Sequence, residues 1–445
     1  MSLFTLVIFI VALGLMVFLH ELGHFLASRF FGIEIEEFGF GIPPRARSLW
    51  RGAGWLKIND RRVEIPRNFE RNLDWQRVVN KPATLTVDTV DGASVLRTVE
   101  VGELTGAYSR SSSLKVGGQP GALRLEGVVV EAHPGTILSL NWLPLGGFVR
   151  PRGENDPRVA GGLAAANPWK RIGVLLAGPI MNLLTAVVLF GLVTAMQGVA
   201  VPGPIHLDQV SPDSPASQAG LQVNDRILEV NGQPVQGTGM LSTVIKANLD
   251  KPVELLIERG GQQITLTVTP LSNRSEEEGA VGILMAPETR SATVVEVLRD
   301  GFLYTGLQAA GLVYLPVALV QGAIQPDEAR FVGLKGIFDM VNAAVRKDVS
   351  SRQPESGAGP APAPTNWTLY IMAMLSVSLG VINLFPVPAL DGGRILFTLP
   401  EILFHKRIPM EFENMVNGVA MLLLIAFMIF INVMDFVNPA QPFIP

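Results

Sequence analysis

A five-residue motif, His20-Glu21-Leu22-Gly23-His24, lies inside an apolar segment near the N-terminus. Residues four apart on a helix lie one above the other, so both imidazoles can bind one ion while the glutamate stays beside them. Imidazole is a preferred zinc ligand, and a carboxylate next to an open zinc position can act as a general base. The motif therefore predicts a zinc site with its own base.

The alternative for this motif is a pair of core histidines with satisfied hydrogen bonds beside a surface glutamate. An ionisable group near the centre of a bilayer costs about 2.5 to 3.5 kcal/mol on insertion scales. Three such groups within five residues of an apolar helix are better explained by a bound metal than by a structural role.

The third zinc ligand must come from another part of the chain, because a catalytic site uses three protein ligands and leaves a fourth position to water. The chain has no cysteine, so only His, Asp and Glu can serve. The candidate is Asp391, in a run from Asn383 to Gly393 whose prolines and glycines break a helix. Taken alone, this carboxylate is better explained as the cap of a helix that starts near Arg394. The histidine motif in the same chain favours the role of ligand.

Composition places the protein partly in a membrane and partly in water. Hydrophobic residues make up 48% of the 445 residues, charged residues only 17%, and the mean hydropathy is +0.35. The net charge of -4 is small, and no basic stripe is present, which excludes nucleic acid as an expected partner.

Four segments are predicted to be transmembrane helices, and the first is retained because it lacks the cleavage pattern of a signal peptide. They lie at 1–31, with the histidine motif, at 170–198, at 366–398, with the Asp391 motif, and at 411–436. A further uncharged stretch, Gly301 to Ile324, is also long enough to cross but contains glycines and Pro316.

An aqueous domain is predicted at 202–287. Its Ala219-Gly220-Leu221 run and a hairpin around Gly260-Gly261 resemble a bacterial PDZ domain.

An earlier β-hairpin region, 32–169, contains an inserted β-rich module at about 51–133. Part of the insertion parallels the later domain, since Asn80-Lys-Pro matches Asp250-Lys-Pro before a hairpin. The module is therefore either PDZ-like or a case of convergent hairpins. The remaining segments are a membrane-associated amphipathic region at 288–350 and a flexible linker at 351–365, rich in Pro, Ala, Ser and Gly.

Taken together, the histidine motif, Gly178-Pro179 with Asn182 in the second span, the PDZ domain and the run from Asn383 to Gly393 resemble the site-2 proteases, zinc intramembrane metalloproteases, and among them the bacterial RseP type. The resemblance implies a polytopic α-helical membrane protein with four transmembrane helices, a membrane-dipping β hairpin and an inserted small α+β PDZ domain. It does not cover about 51–133.

The resemblance also implies the site residues. One Zn2+ per chain would be held by His20, His24 and Asp391, Glu21 would be the catalytic glutamate, and Asn383 would help to hold the substrate backbone.

It further implies that Gly146, Gly147 and Phe148 belong to a hairpin that pairs with an extended substrate. The expected partners are single-span transmembrane protein substrates, a peptide or protein ligand of the PDZ domain, and the lipid bilayer.

The orientation of the chain in the membrane follows from where the metal ligands lie in the spans. His20 and His24 lie in the C-terminal half of the first span and Asp391 at the C-terminal end of the third, so the ligands can meet only if those spans run parallel. One crossing between them satisfies this, and Gly301 to Ile324 is therefore expected to lie along the membrane. Basic residues flank one side of the spans: Arg29, Arg150, Arg152, Lys170, Arg171, Arg394, Lys406 and Arg407. These charges predict a bacterial inner membrane protein with its PDZ domain and both termini outside and its active site toward the cytoplasm.

Two rival functions use the same features. A metal-handling membrane protein would need the ligands but no base such as Glu21. A non-catalytic PDZ scaffold on a membrane anchor would need neither the metal ligands nor the base.

Overall fold

The structure is a computed structural model that describes residues 3–69, 75, 78–90, 92–101, 123–159, 161–274, 279–324, 331–351 and 366–439. In chain order its elements are α1 (Leu3–Phe30), β1 (Ile35–Arg51), β2 (Gly54–Ile58), β3 (Arg61–Ile65), β4 (Pro82–Val90), β5 (Ala93–Val101), β6 (Leu123–His133), β7 (Ile137–Pro151), α2 (Pro168–Gln197), β8 (Val199–Val210), α3 (Pro215–Gln218), β9 (Arg226–Val230), β10 (Gln233–Pro234), α4 (Thr238–Ala247), β11 (Val253–Arg259), β12 (Gln262–Val268), β13 (Ile283–Arg290), α5 (Val294–Val320), α6 (Leu334–Ser350), α7 (Trp367–Leu384), α8 (Asp391–Phe404) and α9 (Met410–Val437).

Five of the helices in the described ranges are long and apolar enough to cross a membrane: α1, α2, α5, α7 and α9. Four of them overlap the predicted spans, but α7 ends at Leu384, so the third span is shorter than the predicted 366–398. The chain divides into two compact units. The first comprises Met1–Thr185, Ala309–Phe338 and Leu375–Ala440, and the second comprises Ala186–Gln308, Asp339–Met374 and Gln441–Pro445.

In the first unit, α1 and α2 pack closely and run antiparallel. A Cβ atom on Gly23 of α1 would lie 2.3 Å from the carbonyl oxygen of Ala177 on α2, so only glycine permits this approach. Farther along, His24 contacts Val174 while His20 contacts Asn182. Residue numbers increase along α1 while the numbers of the residues they contact on α2 decrease, so the two helices run in opposite directions.

Helix α7 also runs antiparallel to α2. The hydroxyl of Ser376 donates to the carbonyl oxygen of Asn182 at 2.8 Å, and a Cβ on Gly380 would lie 3.0 Å from the carbonyl oxygen of Pro179. Helices α1 and α7, the two predicted carriers of the metal ligands, are therefore parallel to each other.

Strands β1 and β7 fold back on themselves and form four strand segments. Residues 35–40 pair with 147–151 on one side and with 137–140 on the other, and 137–141 also pair with 45–51. The pairs Gly39 with Phe148 and Phe40 with Gly147 join the two glycine-aromatic pieces that the sequence separates by about a hundred residues. Residues 147–151 thus form one edge of this sheet.

The bend of the sheet is apolar and exposed. Phe40, Ile42, Trp142 and Leu143 all present large exposed side chains there. Exposed apolar surface of this kind agrees with the predicted membrane-dipping hairpin.

The insertion forms a closed barrel in the order β2-β3-β5-β4-β6, around a core that includes Leu56, Ile65, Leu85 and Leu96. Its Asn80 and the matching Asp250 of the later domain share a left-handed backbone, so the local similarity seen in the sequence is real. The assembly differs, because β6 lies between β2 and β4, whereas β9 pairs directly with β11 in the later domain. This order argues against the PDZ-like interpretation of 51–133 and favours convergent hairpins.

In the second unit, the later domain is a sheet in the order β12-β11-β9-β8-β13 with helices α3 and α4. Its core includes Ile205, Leu241 and Ile257. This α+β content agrees with the predicted PDZ domain. The domain extends slightly beyond 202–287, because Val199 of β8 pairs with Arg290 of β13.

The region predicted at 288–350 contains α5 and α6. Helix α5 begins earlier than Gly301, because Thr293 and Glu296 form a capping box: the Thr293 amide donates to Glu296 Oε2 at 2.9 Å, and the Glu296 amide approaches Thr293 Oγ1 at 3.4 Å. The hydropathy pattern missed this start because Arg299 and Asp300 interrupt the apolar run. Of the predicted linker at 351–365, only Ser351 lies within the described residues.

Candidate metal centre

Three side chains from distant parts of the chain converge inside the first unit. His20 Nε2 and His24 Nε2 lie 3.1 Å apart, and Asp391 Oδ2 lies 3.1 Å from the first nitrogen and 3.4 Å from the second. Both histidines are buried, and the Asp391 side chain is 15% exposed. Among the described residues this is the one group of three His, Asp or Glu side chains close enough to share a metal ion.

The far nitrogen of each histidine is held by α2. His24 Nδ1 donates to the carbonyl oxygen of Val174 at 2.8 Å, so its Nε2 faces the centre without a proton. The side-chain amide of Asn182 lies 3.0 Å from His20 Nδ1. Such outer contacts fix the tautomer and the ring orientation of metal-binding histidines.

The amide of Asn182 also shows that the site fits a metal. Asn182 is fully buried, and its Oδ1 has no hydrogen-bond partner among the described residues. With the amide turned so that Oδ1 faces His20, this oxygen accepts the Nδ1 proton and leaves Nε2 to bind an ion. Two imidazole nitrogens and one carboxylate oxygen are then the donors that a catalytic zinc site uses.

Asp391 is the first residue of α8, and the residue that caps this helix is Leu390. The alternative role of Asp391 as a helix cap is therefore not realised. Two glycines that follow bring the preceding loop against the helix: a Cβ on Gly392 would lie 2.3 Å from the carbonyl oxygens of Leu384 and Phe385. The glycines thus fold the end of α7 tightly onto the start of α8, which turns Asp391 toward the histidines.

Ionic contacts hold α8 in place beyond the ligand. Arg394 donates to Glu154, which follows β7, at 2.6 Å. Arg171 of α2 pairs with Glu401 near the other end of α8. These pairs connect the helix that carries Asp391 to α2 and to the segment after β7.

Glu21 lies beside the three ligands but points toward the sheet. The backbone N–H of Val149 donates to Glu21 Oε2 at 3.0 Å. Val149 lies in the edge segment 147–151, and its N–H therefore faces away from β1 and toward α1. The predicted base is held by the free edge of the sheet.

Glycines bring this edge segment onto α1 just before the histidine motif. Gly146 has a positive φ of 76°, and a Cβ there would lie 2.5 Å from the Val17 side chain. A Cβ on Gly147 would lie 2.9 Å from the carbonyl oxygen of Gly39 and 3.3 Å from Phe18. Of the predicted substrate-binding residues, Gly146 and Gly147 thus lie against α1 just before the histidine motif, and Phe148 precedes the Val149 that contacts Glu21.

Asn383 lies in the last turn of α7, with its side chain half-buried. Its role in holding the substrate backbone remains a prediction.

Sequence reasoning missed two contributors. Asn182 appeared only as part of a motif, although a polar amide inside an apolar span is itself a signal of a specific partner. Val149 acts through its backbone, which leaves no signal in the residue type.

The model of peptidase family M50 matches residues 8–56 and 123–427, which is more than half of the chain. The segment it leaves out, 57–122, lies within the β barrel insertion.

Two curated relatives illustrate the match. The zinc metalloprotease RasP of Geobacillus kaustophilus is 26% identical, over 96% of this chain and 96% of that protein. The regulator of sigma-W protease RasP of Bacillus subtilis is 25% identical, over 95% of this chain and 96% of that protein. Among solved structures, the PDZ domain of an SdrC-like protein from Listeria monocytogenes matches 20% of this chain and 90% of that chain, with 18% identity and a TM-score of 0.18.

Proposed function

Because this chain belongs to peptidase family M50, the site-2 proteases, we propose that His20, His24 and Asp391 hold its catalytic zinc and that Glu21 is its general base. The protein is a zinc metalloprotease of a bacterial membrane that acts by intramembrane proteolysis, and Zn2+ is its cofactor. The observation that carries the assignment of residues is the convergence of two imidazole Nε2 atoms and one carboxylate oxygen within 3.4 Å of one another.

The chemistry of the protein side chains follows from this arrangement. Zinc held by His20, His24 and Asp391 would supply a Lewis acid that lowers the pKa of the attacking water and polarises the carbonyl group of the substrate. Glu21 accepts the proton of the attacking water and passes it to the leaving nitrogen of the cleaved peptide. Asn182 and the carbonyl oxygen of Val174 keep both histidines in the tautomer that offers Nε2.

The substrate strand is proposed to add to the edge segment 147–151. A transmembrane helix must unwind before its carbonyl can be attacked, and its freed backbone groups then need partners. An open sheet edge supplies those partners. Since the Val149 N–H on this edge reaches Glu21, a peptide that pairs with the edge comes directly to the base and the metal ligands.

Strand addition is therefore proposed to release the base. Glu21 Oε2 accepts the hydrogen bond of the Val149 N–H that a substrate carbonyl oxygen on this edge would accept. A substrate carbonyl that accepts this hydrogen bond frees Glu21 to receive the water proton.

Four crossings are proposed, with α5 along the membrane surface. The support is the parallel course of α1 and α7, which leaves an odd number of crossings between them. Helix α2 is one crossing. If α5 also crossed the membrane, α6 would have to cross as well to keep the number odd, and α6 is too short and too charged to do so. Both termini and the PDZ domain then lie outside, and the metal lies toward the cytoplasm.

The PDZ domain is proposed to restrict access of large substrates, since it contributes no side chain to the metal centre. Its first and last strands pair, Val199 with Arg290, so the domain is a separate module between α2 and α5.

The assignment is tested with Asp391→Ala. Removal of one of three ligands should abolish cleavage of a single-span substrate and most of the bound zinc. Asp156→Ala removes an exposed carboxylate that pairs with Arg158, and it is the matched control that should keep both. Full zinc content in Asp391→Ala would place the third ligand elsewhere.

A further inference from the structure

The turn that precedes Asp391 contains a residue in an unfavourable backbone conformation. Ala389 has a φ of 72°, in the left-handed region that alanine rarely adopts. Among the described residues, the other non-glycine residues with positive φ are asparagine, aspartate or histidine, which enter this region more readily. Such a conformation persists only where the surrounding structure holds it in place, and it is often found beside functional sites.

The conformation of Ala389 belongs to a tight turn. The amide of Leu390 donates to the carbonyl oxygen of Val387 at 3.1 Å, and Pro388 and Ala389 lie between them. A proline followed by a residue of positive φ is the arrangement of a type II turn, in which glycine is expected at the position that Ala389 occupies. Asp391 follows the turn directly, so the geometry of the turn sets the starting position of the carboxylate.

Helix α8 lies against the same turn. A Cβ on Gly393 would lie 2.2 Å from the carbonyl oxygen of Val387 and 2.7 Å from the Cα atom of Pro388. Two backbone segments in such close contact cannot move independently. A change in the turn therefore displaces the first residues of α8, where Asp391 lies.

One side chain of α9 holds the turn. The backbone N–H of Ala389 donates to Asn417 Oδ1 at 3.1 Å, and Asn417 is partly buried. The side-chain oxygen must face the turn, because the NH2 group of the amide cannot accept a hydrogen bond from a backbone N–H. An amide in an apolar helix is costly unless it is hydrogen-bonded, and the N–H of Ala389 supplies a partner for it.

We propose that Asn417 is a positioning residue for Asp391 and acts through the strained peptide of Ala389. The inference rests on the proposed role of Asp391 as a zinc ligand. The hydrogen bond stabilises the left-handed turn, and the turn fixes the start of α8, where the carboxylate lies 3.1 Å from His20 Nε2. Without this bond, Ala389 can relax toward a negative φ, and Asp391 moves with it.

The first experiment removes the acceptor and keeps the approximate size of the side chain. Asn417→Leu suits an apolar helix, so the purified full chain should fold normally in detergent. Its zinc affinity, measured by competition with a chelator, should fall by about threefold to tenfold, less than for the loss of a group that contacts a ligand directly. Asn414→Leu makes the same change at an exposed position one turn earlier on α9, and this matched control should bind zinc as the unaltered chain does.

Replacement of zinc by Co2+ shows whether Asp391 moves. The visible absorption of Co2+ depends on the geometry of its ligands, so a displaced carboxylate changes the spectrum. We expect altered absorption bands in Asn417→Leu and normal bands in Asn414→Leu. If Asn417 had only a general structural role, Asn417→Leu would be less stable but would keep normal bands, and that result would overturn the proposal.

A second substitution tests the route through Ala389. Glycine adopts a positive φ without strain, so Ala389→Gly should hold the turn without help from Asn417. The double variant Ala389→Gly/Asn417→Leu should regain the normal Co2+ spectrum and a zinc affinity within about twofold of that of the unaltered chain. If the double variant binds zinc as weakly as Asn417→Leu does, Asn417 acts elsewhere and the proposal is overturned.

Asp391→Ala, measured in the same series, separates this inference from the assignment of the metal ligands. Loss of zinc in Asp391→Ala with normal zinc binding in Asn417→Leu would overturn this inference alone. Full zinc in Asp391→Ala would overturn the ligand assignment, and the role of Asn417 with it. Loss of most of the zinc in Asp391→Ala together with weakened binding in Asn417→Leu is the result that we expect.

Discussion

The backbone N–H of Val149 donates a hydrogen bond to Glu21 Oε2 at 3.0 Å, across 128 positions of sequence. The contact joins the base on α1 to the free edge of the sheet formed by β1 and β7. The strand that is proposed to pair with the substrate is thus the strand that holds the base.

The first prediction removes this N–H. Val149→Pro lacks the donor, and an edge strand tolerates proline because the lost N–H does not pair within the sheet. We expect cleavage to fall by about a hundredfold, because the substrate carbonyl that should take over this hydrogen bond from Glu21 loses its donor and the substrate strand is misplaced. Zinc content should stay unchanged.

Val149→Ala, which keeps the N–H, is the matched control and should cleave at close to the normal rate. If Val149→Pro also cleaves normally, the Val149 N–H has no role in binding the substrate strand.

The second prediction concerns Asn182. Its replacement by alanine removes the group that fixes the tautomer of His20, and zinc affinity should fall by about tenfold to a hundredfold. Asn182→Asp should keep most of the affinity, because a carboxylate oxygen also accepts the Nδ1 proton. Competition with a chelator measures both. Equal affinity in the alanine and aspartate variants would show that Asn182 does not hold His20.

The third prediction tests the tight turn at Asp391. A methyl group on Gly392 meets two backbone oxygens at 2.3 Å, so Gly392→Ala must shift the loop or the helix. We expect a loss of stability of about 1 to 3 kcal/mol and reduced zinc binding. Gly418→Ala is the control, since nothing lies within 4 Å of a Cβ at that position of α9. A normal thermal midpoint and full zinc in Gly392→Ala would disprove the packing constraint.

The fourth prediction concerns the membrane topology. Single cysteines are introduced into this cysteine-free chain before α5, at Ser291, and after α6, at Ser356 in the linker. An impermeant maleimide added to intact cells should label both. A cysteine at Arg158, whose side chain is 89% exposed after β7, should stay unlabelled. Labelling of only one of the two serine positions would mean that the segment between them crosses the membrane.

The local parts of the fold could be predicted from the sequence. The spans that became α1, α2, α7 and α9 follow from uncharged runs of sufficient length, and the pair His20 and His24 follows from helical spacing. Asp391 followed from the need for a third ligand and from the resemblance to a family.

The remaining features depend on contacts between distant residues. Closure of the barrel depends on β6, which lies far along the chain from β2 and pairs with it, and the hairpins alone do not show this. The contacts of Glu21 with Val149 and of His20 with Asn182 also join separate elements. A backbone donor such as Val149 has no residue preference, so sequence reasoning had no means of finding it.

The central claim is that Glu21 acts as the general base of the zinc site and is not itself a zinc ligand. The most direct measurement determines cleavage of a transmembrane substrate and zinc content together in Glu21→Gln, which keeps the size of the side chain but cannot accept the proton. The account predicts about one zinc per chain and no cleavage. Cleavage at a normal rate by the zinc-loaded variant would contradict it.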